Sequence, residues 1–336
     1  MSKRLCWLAM ALLGIDSYSI RAYRWKALEL IDYASRQGAQ ALQISLNDLE
    51  STDSAYLEKV KQAAQSTGLY LDTAAGCFGQ LSSGWKPADG DPATYLSKAL
   101  RIAKGFGATV LRTYIGSPTD RLGRVKVEQH VEAAFRALRG AKAVAEETGV
   151  KIAIENHGEL TARELKSLID DAGKTFVGCT LDTGNPMWVL EDPLLTVEVL
   201  GPYALCTHLR DSALFEHPRG AAFQWVALGE GSIPFAPIFK RLAELAPRAP
   251  LHLEIITGRP PQILAYHEDD FWRYFPRLPA ADFARFVALV KKGRPFGGTM
   301  VIAGTGAQPK EIEDALKLQQ RLDLERSLAF ARKALS

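Results

Sequence analysis

Lys151–His157 reads Lys-Ile-Ala-Ile-Glu-Asn-His. Small and apolar residues run into a carboxylate, an amide and an imidazole. That is the pattern of a buried parallel strand whose C-terminal tip opens into a polar site. Three later stretches repeat it: Phe176–Asn185 (FVGCTLDTGN) closes near Asp182, Ala204–Asp211 (ALCTHLRD) near His208, and Leu251–Thr257 (LHLEIIT) carries Glu254. Four consecutive strand-like runs thus each deliver one metal-capable side chain near the tip.

Upstream, the same alternation of strand and helix patterns continues. Leu12–Ser17, Ala41–Leu46, Leu69–Gly76 and Thr109–Gly116 read as strands, and Trp25–Gln37, Asp53–Ser66, Pro92–Phe106 and Lys126–Thr148 as the helices between them. Asp91 before Pro92 is an N-cap with proline at the first helical position, and Thr161 with Glu164 forms a capping box for a helix over Thr161–Ala172. Downstream, helices are expected at Leu194–Leu200, Pro234–Ala246 and Ala280–Lys292, the last closing the barrel. Phe215–Gly231 reads as irregular, Pro260–Pro279 as a proline- and aromatic-rich loop, and Gly293–Gln308 as a polar linker to a helix over Pro309–Leu335.

Parallel strands need crossover helices. Eight such units in one series predict an α/β fold, a (β/α)8 TIM barrel, with an additional C-terminal helix. The expected organisation is a barrel over residues 1–295 with its site at the strand C-termini. Residues 296–336 follow as a linker and a helix that packs on the barrel or on a partner.

Bulk properties narrow the function classes. The chain has 336 residues, 47% of them hydrophobic and 24% charged, with a formal net charge of +3. Lys and Arg are scattered, which argues against a nucleic-acid partner. Four cysteines without CxxC spacing read as buried thiols in a reducing cytoplasm. Lys3 and Arg4 before the apolar run Leu5–Ile15 resemble a short export signal. No small-x-small site closes that run, and it leads into a strand, so a first barrel strand is the favoured reading. No run approaches the roughly 20 apolar residues of a membrane span.

Glu155, Asp182, His208 and Glu254 are the proposed metal ligands. A lone Glu at a strand tip is usually solvated or paired, a lone Asp before Thr-Gly-Asn is usually a turn former, and a lone His in a strand is usually a core residue. Gathered at one pole of a barrel, however, three carboxylates repel unless a cation offsets them. Three carboxylates and one imidazole suit Mn²⁺ or Mg²⁺ first, then Co²⁺ or Zn²⁺.

The pieces IAIENH, LDTGN, THLRD and LEI, in that order, with GEGSIPF before the seventh helix, resemble the xylose isomerase-like TIM-barrel superfamily, often named sugar phosphate isomerase/epimerase. The resemblance covers about residues 12–295. It implies that the four residues above hold a single ion, and that the ion chelates a carbonyl oxygen and the neighbouring hydroxyl of a small sugar or polyhydroxy ketone, stabilising a cis-enediolate. It also implies that Glu155 and Glu254 face each other across the substrate as acid and base.

Other residues are expected to assist: His157 as proton donor or partner of a ligand, Arg112 towards an anionic substrate group or paired with a barrel carboxylate, Arg210 towards an acidic group, and Asn185, Gln43 and Trp225 as pocket lining. Arg210 and Asp211 are also expected to orient His208 or to bind substrate oxygens, or else to form a salt bridge at the barrel rim. Trp188, Phe271 and Trp272 are candidates to cover the site.

The chain departs from the family's ketose 3-epimerases at two places. Asn185 stands where they have histidine three positions after the ligand aspartate, and Leu214 where they have arginine six positions after the ligand histidine. No glycine-rich phosphate cradle is present.

The implied activity is metal-dependent isomerisation or epimerisation. Its chemical rival is a metal-dependent lyase (a decarboxylase, dehydratase or C-glycoside-cleaving enzyme) acting on a 3-oxo sugar or sugar acid through the same stabilised anion. A rival of another class is a non-catalytic sugar-binding or scaffold subunit, for which the terminal helix offers an interface to a second copy or a partner subunit. The expected partner is a small-molecule sugar or keto-acid, with no nucleic acid and no membrane.

Overall fold

The alternation of apolar runs and amphipathic helices closes on itself. Residues 11–304 and 306–336 are described in the computed structural model. The eight parallel strands of the barrel are β1 (Leu13–Asp16), β2 (Ala41–Ser45), β3 (Tyr70–Cys77), β4 (Val110–Tyr114), β5 (Lys151–Glu155), β6 (Val177–Asp182), β7 (Ala204–Leu209) and β10 (Leu251–Leu253). β1 pairs with both β2 and β10, which shuts the barrel. Each strand is buried along most of its length, because one face looks into the barrel and the other onto helices. The export-signal-like residues Lys3 to Met10, with Cys6, lie outside the described residues; the strand expected after them is β1.

The helices form where the local signals place them. They are α1 (Ala27–Arg36), α2 (Ser54–Thr67), α3 (Pro92–Gly105), α4 (Pro118–Arg121), α5 (Val127–Thr148), α6 (Ala162–Ala172), α7 (Pro193–Leu200), α8 (Phe235–Leu245), α9 (Ala280–Lys292) and α10 (Lys310–Leu335). Asp91 caps α3 through the Thr94 amide at 2.9 Å, and Thr161 and Glu164 cap α6 reciprocally. No helix among the described residues is long and apolar enough to cross a membrane. Cys77, Cys179 and Cys206 are buried free thiols.

Two expectations are corrected. Phe215–Gly231 is not irregular: β8 (Asp211–His217) and β9 (Gly220–Val226) form an antiparallel hairpin, and β11 (Gln262–Leu264) from the proline-rich loop adds to β9 as a third strand. This small sheet walls one side of the barrel mouth, since Trp225 and Gln262 both line the cavity there.

The second correction concerns the closing helix. α9 packs on β8, whereas α10 packs on α8, β10 and the turn Ser17–Tyr23 after β1. The terminal helix therefore fills the eighth helical position and is integral to the barrel. Its polar residues tie down three loops. Gln320 accepts from the Ala22 amide at 2.9 Å, Asp323 from the Thr257 hydroxyl at 2.6 Å, and Ser327 from the Leu228 amide at 2.9 Å.

Candidate metal centre

Parallel strands in register bring their tips to one level, and here that level is polar. Asp182 pairs with His208 across β6 and β7. Glu155 ends β5, and Glu254 follows β10 with its amide still bonded to the Leu209 carbonyl. All four side chains are buried and point together: one ligand atom from each lies within 4.8 Å of the others. Donors on opposite sides of one divalent ion stand roughly 4–5 Å apart, so the set has the spacing to hold a single ion.

His208 and Asp182 are each held by partners at one atom, which leaves the other facing the cluster. His208 Nε2 donates to Gln43 Oε1 at 2.8 Å, which leaves Nδ1 as the atom facing the carboxylates. That Nδ1 is 3.4 Å from Glu254, 3.6 Å from Glu155 and 4.0 Å from Asp182. Asp182 Oδ1 accepts from the Gly184 and Asn185 amides at 2.7 and 2.6 Å, so its turn-forming role occupies one oxygen only. Asp182 Oδ2 and His208 Nδ1 are buried and make no well-aligned hydrogen bond, although Arg210 Nε stands 2.8 Å from Asp182 Oδ2. Buried polar atoms are rarely left so, and these two are adjacent. A divalent cation would engage both at once, and three carboxylates with one imidazole form a donor set suited to such an ion.

The cation is not the sole source of compensation. Arg112 forms an ion pair with Glu155, and Arg210 Nε lies 2.8 Å from Asp182 Oδ2 and 3.3 Å from Glu254. Arg210 reaches Asp182 past Gly184, where a Cβ would meet the Arg210 Cβ at 2.9 Å. The proton affinities follow. Burial favours the neutral form of Glu155, yet Arg112 and His208 hold it well below the usual carboxylate range. Glu254 is likewise pulled down to about 2 by Arg210 and His208 against the effect of burial. Burial lifts Asp182 to about 6 despite Arg210. Burial opposes a charge on His208, but Glu254 and Glu155 raise its proton affinity well above normal.

The remaining candidates are distributed as follows. A cavity of about 530 Å³ opens above the cluster and is lined by Glu254, Arg112, Arg210, His157, Asn185 and Trp225, among others. His157 Nδ1 donates to the Gly116 carbonyl at 2.7 Å and its ring stacks on Tyr114, so it contacts no ligand of the cluster through that atom. Asn185 Nδ2 donates to Glu155 Oε1 at 2.9 Å.

Gln43, expected to line the pocket, instead sits beneath His208, fully buried. Asp211, expected to orient the histidine or to pair at the rim, instead accepts the amides of Ser212, Gly229, Gly231 and Ile233. This explains the GEGSIPF run: a Cβ on Gly231 would meet Asp211 Oδ1 at 2.1 Å. Trp188 lines the cavity. Phe271 stacks on Phe275, and Trp272 packs edge-on to Phe283 beside a separate surface pocket, so neither covers the site.

Two residues of the site were missed. Asn156 clamps the tips of β5 and β6, its side chain bonding both the amide and the carbonyl of Asp182 at 2.8 and 2.9 Å. Asp16, at the tip of β1, lines the cavity with Oδ2 3.7 Å from His208 Nε2, and burial lifts it to about 7. Its position at a strand tip was the available signal.

The sequence profile described as xylose isomerase-like TIM barrel matches residues 31–273. The uncharacterised protein YihM of Escherichia coli K12 is 20% identical over 269 residues, 76% of this chain and 71% of that protein. A solved structure of D-psicose 3-epimerase with D-tagatose, from Clostridium cellulolyticum H10, has a TM-score of 0.62 at 17% identity and covers 97% of this chain and 99% of that one. A xylose isomerase-like TIM barrel protein from Mycobacterium smegmatis in complex with magnesium has a TM-score of 0.56 at 16% identity, covering 84% and 97%. At such identities the structural likeness is one of fold.

Proposed function

From the premise that the chain belongs to the xylose isomerase-like TIM barrel family, we propose that it is a divalent-metal-dependent isomerase or epimerase of a small polyhydroxy ketone or sugar, acting through a cis-enediolate. The carrying observation is the convergence of four buried side chains, Glu155, Asp182, His208 and Glu254, with one ligand atom from each within 4.8 Å of the others.

These four residues would hold the ion. When bound, it supplies Lewis acidity that makes the hydrogen next to a carbonyl easier to remove. Glu254 borders the cavity, and its low proton affinity keeps it ionised, so it is the acceptor for that proton. Glu155 is the second member of the acid/base pair. Its two oxygens are held by Asn185 and Arg112, which fix its orientation. Trp188 and Trp225, edge-on to each other with ring centroids 6.2 Å apart, narrow the cavity and exclude water from the reacting carbons. His157 presents Nε2 towards substrate hydroxyls, because Nδ1 is committed to Gly116.

The test is deuterium incorporation from solvent into a panel of ketoses in the presence of Mn²⁺. Exchange at the carbon beside the carbonyl is expected, with loss on chelation and a drop of roughly 10²–10⁴-fold in Glu254→Gln. Undiminished exchange in that variant would remove the role of Glu254. Exchange that survives chelation would remove the ion.

A further inference from the structure

We propose that the substrate carries a carboxylate, seated between Arg210 and Trp225 at the hairpin wall of the cavity. This inference rests on the reading of that cavity as a substrate pocket. Arg210 Nη2 and Trp225 Nε1 are buried donors with no acceptor in the protein. They are neighbours: the Arg210 guanidinium lies 5.2 Å from the Trp225 ring centroid, and both Arg210 Nε and Trp225 Nε1 sit within 3.3 Å of where a Gly184 Cβ would be. Arg210 is 5% exposed. Desolvated donors of this kind are unfavourable unless an acceptor arrives, and a cationic donor favours an anionic oxygen. N–H groups from two neighbouring side chains match the two oxygens of a carboxylate.

The charges around the cavity point the same way. Glu155, Asp182 and Glu254 outnumber Arg112 and Arg210 by one. With His208 neutral as a ligand, a bound divalent ion would leave the cluster with one net positive charge. Arg259 also lines the cavity, is exposed, and has no ion-pair partner among the described residues. Asp16 is the one carboxylate of the lining outside the cluster, and Arg259 offsets it. A neutral sugar would leave the positive excess unmatched. A sugar acid or hydroxy-keto acid matches it, with its carbonyl end towards Glu254 and its carboxylate end towards the hairpin.

Matched pairs isolate the carboxylate. Calorimetric titration of the Mn²⁺-loaded protein with D-fructuronate and D-fructose, and with D-glucuronate and D-glucose, is expected to show each acid binding about tenfold or more tighter than its neutral partner. The ratio should contract towards one in Trp225→Phe, which removes one N–H and keeps the aromatic packing, and in Arg210→Lys. Repeating the titrations after chelation should retain the effect of both substitutions on the acids, since the grip is made by the protein. Equal affinities in the wild type, no binding by either acid at millimolar concentration, or a ratio unchanged in both variants would overturn the inference. Tighter binding of D-fructose 6-phosphate than of D-fructuronate would overturn the carboxylate assignment. Deuterium exchange separates this inference from the one beneath it. Exchange into neutral ketoses with no preference for acids sinks the carboxylate and leaves the isomerase; a preference for acids without exchange into any substrate does the reverse.

Discussion

The two halves of the barrel contribute different kinds of group to the same mouth. β5, β6, β7 and β10 supply all four candidate donors to the ion, whereas β1 to β4 supply Asp16, Gln43 and Arg112, which hold, align and neutralise those donors. The difference shows how a buried acidic cluster is made tolerable without an ion. Arg112 from β4 sits on Glu155, Arg210 sits beside Asp182, and Gln43 from β2 fixes which nitrogen of His208 is free. The donor half determines what can be bound, and the supporting half determines how well the donors are aimed.

The largest effect is expected from removing a donor. His208→Ala should weaken Mn²⁺ binding by at least about 100-fold and abolish deuterium exchange, measured by calorimetry and mass spectrometry. A pH series sharpens this. The neighbouring glutamates keep a proton on His208, and an ion must displace it to reach Nδ1. Lowering the pH favours the proton and raising it favours the ion. Wild-type affinity should thus climb with pH by up to about tenfold per pH unit, as for release of one proton. Above about pH 7, beyond the range in which Asp182 titrates, the slope should vanish in His208→Ala. A flat wild-type profile between roughly pH 6 and 8 would mean that the imidazole is not a ligand.

The donor half was legible in the sequence because each strand ends in one chemically distinct side chain after an apolar run. Glu155, Asp182, His208 and Glu254 each break their own pattern. The supporting half was harder to read. Gln43 sits inside Ala-Leu-Gln-Ile-Ser and becomes functional only through an imidazole 165 positions away, and Asp16 looked like an ordinary strand end. The β8–β9 hairpin escaped for another reason: both of its faces are buried near the barrel, so the period-two alternation that marks an exposed hairpin is absent. α9 and α10 were both recognisable as helices. Which of them closes the barrel depends on long-range packing, as in the bonds from Gln320, Asp323 and Ser327 to distant loops, and local pattern carries no trace of that.

A smaller effect tests the supporting half directly. Gln43→Leu removes the acceptor of His208 Nε2–H and touches no donor atom. Metal affinity should fall by about 10- to 100-fold, with stoichiometry unchanged. Affinity equal to wild type would show that the histidine is aimed by packing alone, and the contrast between the two halves would lose its physical basis.

The smallest effect is expected at a glutamate of the donor half that lies outside the cluster. Glu159 stands four residues beyond Glu155 and is 3% exposed, and neither of its oxygens has a hydrogen-bond partner. Burial pushes it up to about 8, whereas Glu155 beside Arg112 is held low. In the unfolded chain Glu159 loses its proton near pH 4.5, while the native state keeps it until about pH 8. The native state therefore binds more protons across that window, and its stability falls as pH rises through it. Glu159→Met replaces the carboxyl with an apolar group of similar length that leaves no polar atom orphaned. The variant should gain about 1 kcal/mol or more at about pH 8 and little near pH 4.5 in denaturant titrations, because each tenfold change in proton affinity between the folded and unfolded chain is worth about 1.4 kcal/mol. Its Mn²⁺ affinity should equal that of the wild type. A loss of metal binding in Glu159→Met would extend the site beyond the four converging tips. A stability gain independent of pH would show that Glu159 is charged in the folded protein, and that burial at this end of β5 does not by itself separate a ligand from a bystander.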